Sequence, residues 1–272
     1  MQNIVGTYPH RSPRKRASRA LRLKSHYMEK IVNLKTKDGK IIRSIHTQTK
    51  KRNNTVAVFV HGLTGAPNEH TFHNAAKLFP TKGVDVFRPA LYWWEKNNRN
   101  LSDCSISTHA EDLNKVLQYL RPKYKKIAVI GHSLGSPTIL KSNKTLFDSV
   151  VLWDPSYLQD GIRKSLTAIK IEGKSYWLSH DQFDYLLSTI MIDEWEWFNG
   201  KNELALVENL QKPLLIIAAA RGILKEGSKL YFKVAKGKKR YVLVPGATHC
   251  FDEEGTETLL LDETLTWVKT VG

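Results

Sequence analysis

Ser133 stands between Gly131 and Gly135 in "IAVIGHSLGSPTIL", residues 127–140, where an apolar run gives way to a helix-forming one. A serine in that setting can be a nucleophile. A sharp turn from strand to helix holds its backbone in a strained conformation, and small residues two positions to either side let the chain pass itself. The hydroxyl is thereby lifted above a sheet, over a helix N-terminus. Pro137 falls inside the first helical turn, where no intrahelical donor is lost. Acyl transfer by such a serine needs three further parts. A base must take its proton, a carboxylate must hold that base, and two N–H groups must receive the oxyanion.

The first oxyanion donor should be the amide after the nucleophile, which is Leu134. The second should come from the loop leaving an earlier strand. "VFVHGLTGAP" offers one, with the Leu63 amide as the candidate and His61 as a structural hydrogen-bonding residue at the root of the loop. The base should follow the last strand, and "YVLVPGATHCFDEEG" delivers His249 there. Asp252, Glu253 and Glu254 then favour the N-terminus of the helix that follows.

These stretches, "HGLTG", "GHSLG" and "PGATH" in this order and spacing, resemble the α/β-hydrolase superfamily from about residue 30 to the C-terminus. They are most like its small carboxylesterases and serine-aminopeptidase-like hydrolases. The resemblance implies an eight-stranded, mostly parallel sheet with helices on both faces, and hydrolysis through an acyl-serine intermediate. It also implies an acid just after the penultimate core strand. There the chain departs from the pattern, because "PLLIIAAARGILKEG" has Arg221 and Gly222 in that place.

Two carboxylates could serve instead. Asp154 ends the apolar run "VVLWDPSY" and is stiffened by Pro155. Glu226 lies further along the Lys/Gly-rich, more exposed loop expected after the penultimate strand. Asp154 is the expected acid, at a position some lipases of the superfamily use, and Glu226 is the alternative. As a strand-end residue before proline, Asp154 could equally be a turn former. The expected function is a serine hydrolase of carboxylic esters, with Ser133 as nucleophile, His249 as base and Asp154 as acid. Amides, peptides or thioesters are alternative substrates for the same residues. From another class, the displaced acid would also suit a non-catalytic binding protein on a hydrolase frame.

Positioning these residues requires strands and helices in alternation, and the sequence supplies them. "EKIVNLKTKDGKIIRSIHTQ" alternates about Asp38-Gly39 as a hairpin. Buried strands are expected at 55–62, in "VDVFRPALYW", and in the runs ending at Ser133, Asp154, Arg221 and His249. Helices are expected in "HTFHNAAKLFPT" before Gly83, from a Thr108–Glu111 capping box, after Ser133, around 227–236, and at the C-terminus. Continuously apolar strands separated by helices argue for a parallel sheet covered on both faces. Residues from about 157 to 205 interrupt the alternation. They are rich in Tyr176, Trp177, Phe183, Tyr185, Trp195 and Trp197, too long for a plain connection, and read as an inserted cap of helices or a hairpin suited to an apolar acyl or alkyl group.

The chain of 272 residues is 41% hydrophobic and 25% charged, which suits one large domain. We expect a basic extension over residues 1–28 and the catalytic domain over 29–272. Residues 1–30 hold eight Lys/Arg against Glu29, so +7 of the net +16 resides there. That segment and the cluster 225–240 are read as solvated faces, because no aromatic-interleaved nucleic-acid motif accompanies them. No run approaches the ~20 apolar residues of a membrane span. Cys104 and Cys250 form neither a disulfide framework nor a metal-ligand spacing. Neither metal nor organic cofactor is implied, the partner is a small acyl ester, and a reducing cytoplasmic setting is expected.

Overall fold

A computed structural model of the chain describes residues 27–50, 53–157, 161–180 and 183–271. The expected basic extension lies outside the described residues, apart from Tyr27 and Met28, which already belong to the first strand.

The sheet opens with the hairpin β1 (Tyr27–Lys35) and β2 (Ile41–Thr49), turned at Gly39, whose φ of 83° suits a residue without a Cβ. Then come β3 (Thr55–Val60), β4 (Val84–Pro89), β5 (Lys126–His132), β6 (Ser149–Trp153), β10 (Leu214–Ala219) and β11 (Lys239–Val244). Their order across the sheet is β1-β2-β4-β3-β5-β6-β10-β11. The pairs from β4 to β11 are parallel, and β2 joins β4 antiparallel. "TVAVFV", "SVVLW" and "LLIIAA" are buried on both sides, as parallel strands under two helical layers must be.

Helices α1 (His70–Thr81) and α7 (Thr256–Val271) cover one face, where Phe72, Phe79, Leu260 and Trp267 pack on Phe59, Ile130 and Trp153. Helices α2 (Ile106–Leu120), α3 (Gly135–Lys141), α5 (Lys201–Glu208) and α6 (Lys225–Val234) cover the other through Leu113, Leu117, Ile139, Val207 and Tyr231. Helix α2 starts three residues earlier than its sequence suggests. Ser105 is the N-cap, and its hydroxyl accepts from the Thr108 amide while the Thr108 hydroxyl accepts from the Ser105 amide. Thr108 thus fills the reciprocal position of the capping box and does not open it.

Between β6 and β10 the chain forms a second, antiparallel sheet of β7 (Thr167–Ile171), β8 (Lys174–His180) and β9 (Asp184–Ser188), followed by α4 (Thr189–Phe198). Helix α5, whose first residues fall within the expected excursion, packs in the main layer, where Val207 joins the core and Leu204 packs against it. The excursion is tied down at polar points. Glu194 of α4 accepts from the amide (2.7 Å) and the hydroxyl of Ser107, so a carboxylate sits at the positive end of α2. The Ser188 hydroxyl donates to the Cys104 carbonyl at 2.6 Å.

Candidate active site

Neighbouring strands β3 and β5 carry the chain away in opposite directions across the sheet, and crevices of open α/β sheets form at such a switch. The loops leaving these two strands hold Leu63 and Ser133. With the loops after β6 and β11 they wall a cleft of about 670 Å³ lined by Leu63, Ser133, Leu134, Ser156 and His249.

Ser133 has φ 53°, a left-handed conformation that costs a non-glycine residue of order 1–3 kcal/mol. Its amide donates to the Trp153 carbonyl at 3.1 Å, and its carbonyl accepts from the Ser136 and Ser156 amides. The glycine spacing has a direct steric basis. A Cβ on Gly135 would lie 2.3 Å from the Val60 carbonyl oxygen, and one on Gly131 would lie 2.9 Å from the Gly135 backbone. Since the obstacle at Gly135 is backbone of β3, Gly135→Ala is expected to lower stability by about 3 kcal/mol or more, read as a urea-midpoint shift.

His249 follows β11, and its Nδ1 donates to Asp154 Oδ2 at 2.6 Å. Asp154 is fully buried at the end of β6 with φ 37°, its amide donates to the Ile217 carbonyl, and its Oδ1 accepts from the Ala219 amide at 3.1 Å. The structure therefore brings Asp154 to His249 and leaves Glu226 away from it. Glu226 lies in the first turn of α6 and not in a loop, where it is exposed and paired with Lys229 at 2.9 Å, the contact that lowers its pKa. Gly222 accounts for the vacancy after β10. A Cβ there would stand 3.1 Å from Asp154 Oδ2, so the carboxylate from the adjacent strand fills the space a side chain at 222 would need.

Among the described residues Ser133 Oγ is hydrogen-bonded to Ser156 Oγ at 3.2 Å and not to His249, although both line the cleft. Ser156 is not recognisable as a site residue from the sequence. Its only signal was its place two residues after Asp154 in "DPSY", and Tyr231 fixes it by donating to its carbonyl at 2.8 Å.

The Leu63 and Leu134 amides donate to no acceptor among the described residues. Leu63 is oriented by its neighbour. The Gly62 carbonyl accepts from His61 Nδ1 (3.0 Å), the Tyr92 hydroxyl (3.1 Å) and the Gly65 amide (3.2 Å). In a trans peptide the following N–H points the opposite way within the plane, so three donors at the carbonyl edge leave the Leu63 N–H on the opposite edge. His61 Nε2 accepts from the Leu91 amide at 3.0 Å, which occupies both ring nitrogens and gives His61 the structural role its position suggests.

Behind this loop Tyr92 packs between His61 (4.9 Å) and His109 (5.8 Å). Burial lowers the pKa of both histidines, that of His109 to about 3. The unfolded chain takes up their protons from about pH 6.5, so it binds more protons than the fold does below that point. The contribution of these two histidines is expected to be constant above about pH 6.5 and to lower stability as the pH drops from there toward 4. His109→Gln should weaken that slope in urea titrations.

Of the excursion's aromatic residues, Phe183, Tyr185 and Trp195 line the cleft. Trp177 packs in the cluster beneath it with Arg163 over its ring, and Trp197 lies half exposed beside Lys141. The basic residues of 225–240 are largely engaged in local pairs. Lys236 meets Glu208, Arg240 meets Glu263, and Lys239 Nζ caps the last carbonyls of α6. Among the described residues no helix is long and apolar enough to cross a membrane.

The sheet order, the helices on both faces and the turn at Ser133 define an α/β-hydrolase fold. A family model described as "Alpha/beta hydrolase of unknown function (DUF900)" matches residues 38–149. The chain is similar in structure to the esterase domain of a Rhodothermus marinus protein, at 18% identity and TM-score 0.71, over 90% of this chain and 100% of that one. It is similar also to Est1E from Butyrivibrio proteoclasticus, solved with ferulic acid, at 16% identity and TM-score 0.74 over 88% and 98%. Dienelactone hydrolase from Anabaena variabilis matches at 14% identity and TM-score 0.67 over 90% and 99%. No curated protein matches the sequence.

Proposed function

We propose that the protein is a serine hydrolase of carboxylic esters, with Ser133 as nucleophile, His249 as general base and Asp154 as the triad acid. The observation that carries this reading is the 2.6 Å contact of His249 Nδ1 with buried Asp154, in the cleft that Ser133 faces. Asp154 accepts at Nδ1, which leaves the lone pair of the neutral imidazole on Nε2, the form a general base needs. Ser133 Oγ leaves Ser156, gives its proton to Nε2 and attacks the acyl carbon. The oxyanion takes the Leu63 and Leu134 amides. His249 then protonates the leaving alcohol, and water repeats the cycle on the acyl-serine to release the acid.

Phe183, Tyr185 and Trp195 supply an apolar wall for the acyl or alkyl group. The test is turnover of p-nitrophenyl esters from acetate to decanoate, with fluorophosphonate labelling mapped by mass spectrometry. Turnover together with an adduct on Ser133 is the expected result. An inert protein that does not label would support the binding-protein alternative, and cleavage of p-nitroanilides in preference to esters would reassign the substrate to amides.

Because Tyr92 is one of three donors on the Gly62 carbonyl, Tyr92→Phe is expected to cost about 1 kcal/mol of transition-state stabilisation, roughly fivefold in kcat, with KM unchanged. Steady-state kinetics on p-nitrophenyl butyrate checks this.

A further inference from the structure

A second carboxylate–imidazole pair lies against the first. Glu69, the residue before α1, has Oε1 on the Ala66 amide at 3.0 Å and Oε2 at 3.7 Å from His132 Nδ1. Nε2 of His132 donates to the main-chain carbonyl of His249 at 3.0 Å, and the two imidazole rings lie 4.7 Å apart at 32°. His132 is the residue before the nucleophile, so this chain of contacts joins three loops: the one bearing Leu63, the turn at Ser133 and the one bearing His249. Gly65 makes room for it, since a Cβ there would lie 2.1 Å from Glu69 Oε1.

The base needs such an anchor. The His249 side chain is 39% exposed on a loop, and Asp154 grips it at one ring nitrogen. One hydrogen bond to a ring leaves the main chain free to carry Nε2 toward or away from Ser133. A misplacement of about 1 Å can cost a reaction on the order of 10²-fold.

We infer that Glu69 and His132 are positioning residues for the base, holding the main chain of His249 so that its Nε2 meets Ser133. This rests on the ester-hydrolase reading above. The charges agree with the geometry. His132 is faced by Glu69 just before α1, His61 just after β3, Asp154 just after β6 and His249 from the loop after β11. Burial lowers the His132 pKa, but the Glu69 carboxylate, the His249 carbonyl and the Asp154 charge outweigh it and leave it raised. Burial likewise raises the Glu69 pKa, and His132 turns it to a net lowering. A protonated His132 presents a donor to both neighbours.

The test compares kcat and KM on p-nitrophenyl butyrate for His132→Phe, His132→Gln, Glu69→Leu and Glu69→Gln. Phe keeps a ring against His249 without an N–H, and kcat should fall about 10- to 100-fold with KM within about twofold. Gln restores a donor at position 132, and at position 69 it restores an acceptor for Ala66. Both Gln variants should stay within about fivefold of wild type, while Glu69→Leu should fall about tenfold. A second readout needs no turnover: the far-downfield proton resonance of the His249–Asp154 hydrogen bond should be present in wild type and lost or broadened in His132→Phe.

Wild-type kcat and an intact resonance in His132→Phe would overturn the inference. So would a His132→Gln variant as impaired as His132→Phe, since packing alone would then account for both. Should wild type cleave no ester, the ester reading fails on that result, and the resonance comparison still decides whether His132 positions His249.

Discussion

Asp154→Asn is expected to lower kcat on p-nitrophenyl butyrate by about 10⁴-fold and to leave the fold standing. The size follows from the partner on the other oxygen. The Ala219 amide donates to Oδ1, so an asparagine at 154 must keep its carbonyl there and turn its NH₂ toward His249. Nδ1 then has to accept, the imidazole proton moves to Nε2, and the base faces Ser133 with no lone pair. Asparagine matches aspartate in shape, so Gly222 and Ala219 are not displaced, and the melting temperature should change little beside the rate. Glu226→Gln should lie within about twofold of wild type, because Glu226 is exposed and bound to Lys229 on another part of the surface. Steady-state kinetics on the two variants, with calorimetry as the folding control, checks both statements. An unaffected Asp154→Asn would remove Asp154 from the mechanism.

Ser133→Ala is expected to remove about 10⁶-fold of kcat, since no covalent step survives without the hydroxyl. Fluorophosphonate labelling should vanish with it. The strained φ of 53° is imposed by the contacts around the turn, among them the Ser133 amide on Trp153, and alanine keeps that amide. A folded, inactive protein is therefore the expected product. The informative control is Ser156→Ala, because Ser156 Oγ is only 3.2 Å from Ser133 Oγ. Loss of that contact should cost at most about tenfold, the worth of one hydrogen bond. Residual labelling of Ser133→Ala at Ser156 would instead name Ser156 as the nucleophile.

The sequence by itself determined the parts that depend on neighbours in the chain. The strands β3, β5, β6 and β10 carry continuous apolar runs because both faces are covered, and that is visible as composition. The turn at Ser133 needs Gly131 and Gly135 because backbone presses on both, and that is visible as spacing. His249 is legible because it follows the last strand. Only the tertiary structure decided what depends on distance through space. Local pattern makes Asp154, at the stiff end of an apolar run, the expected acid over Glu226, but reach to His249 is not a local property. What separates them is that β6 and β10 lie side by side, so Asp154 enters the space that Gly222 leaves open. Glu69, Tyr92 and His132 gave no local signal, and Ser156 only its place two residues after Asp154, since each touches a residue brought to it by another loop. The excursion after β6 was legible as an interruption, yet its folding into a small antiparallel sheet and helix α4, with α5 passing into the main layer, was settled by packing. Local sterics and apolar pattern are properties of a few adjacent residues; a hydrogen bond between loops is a property of how the strands are ordered.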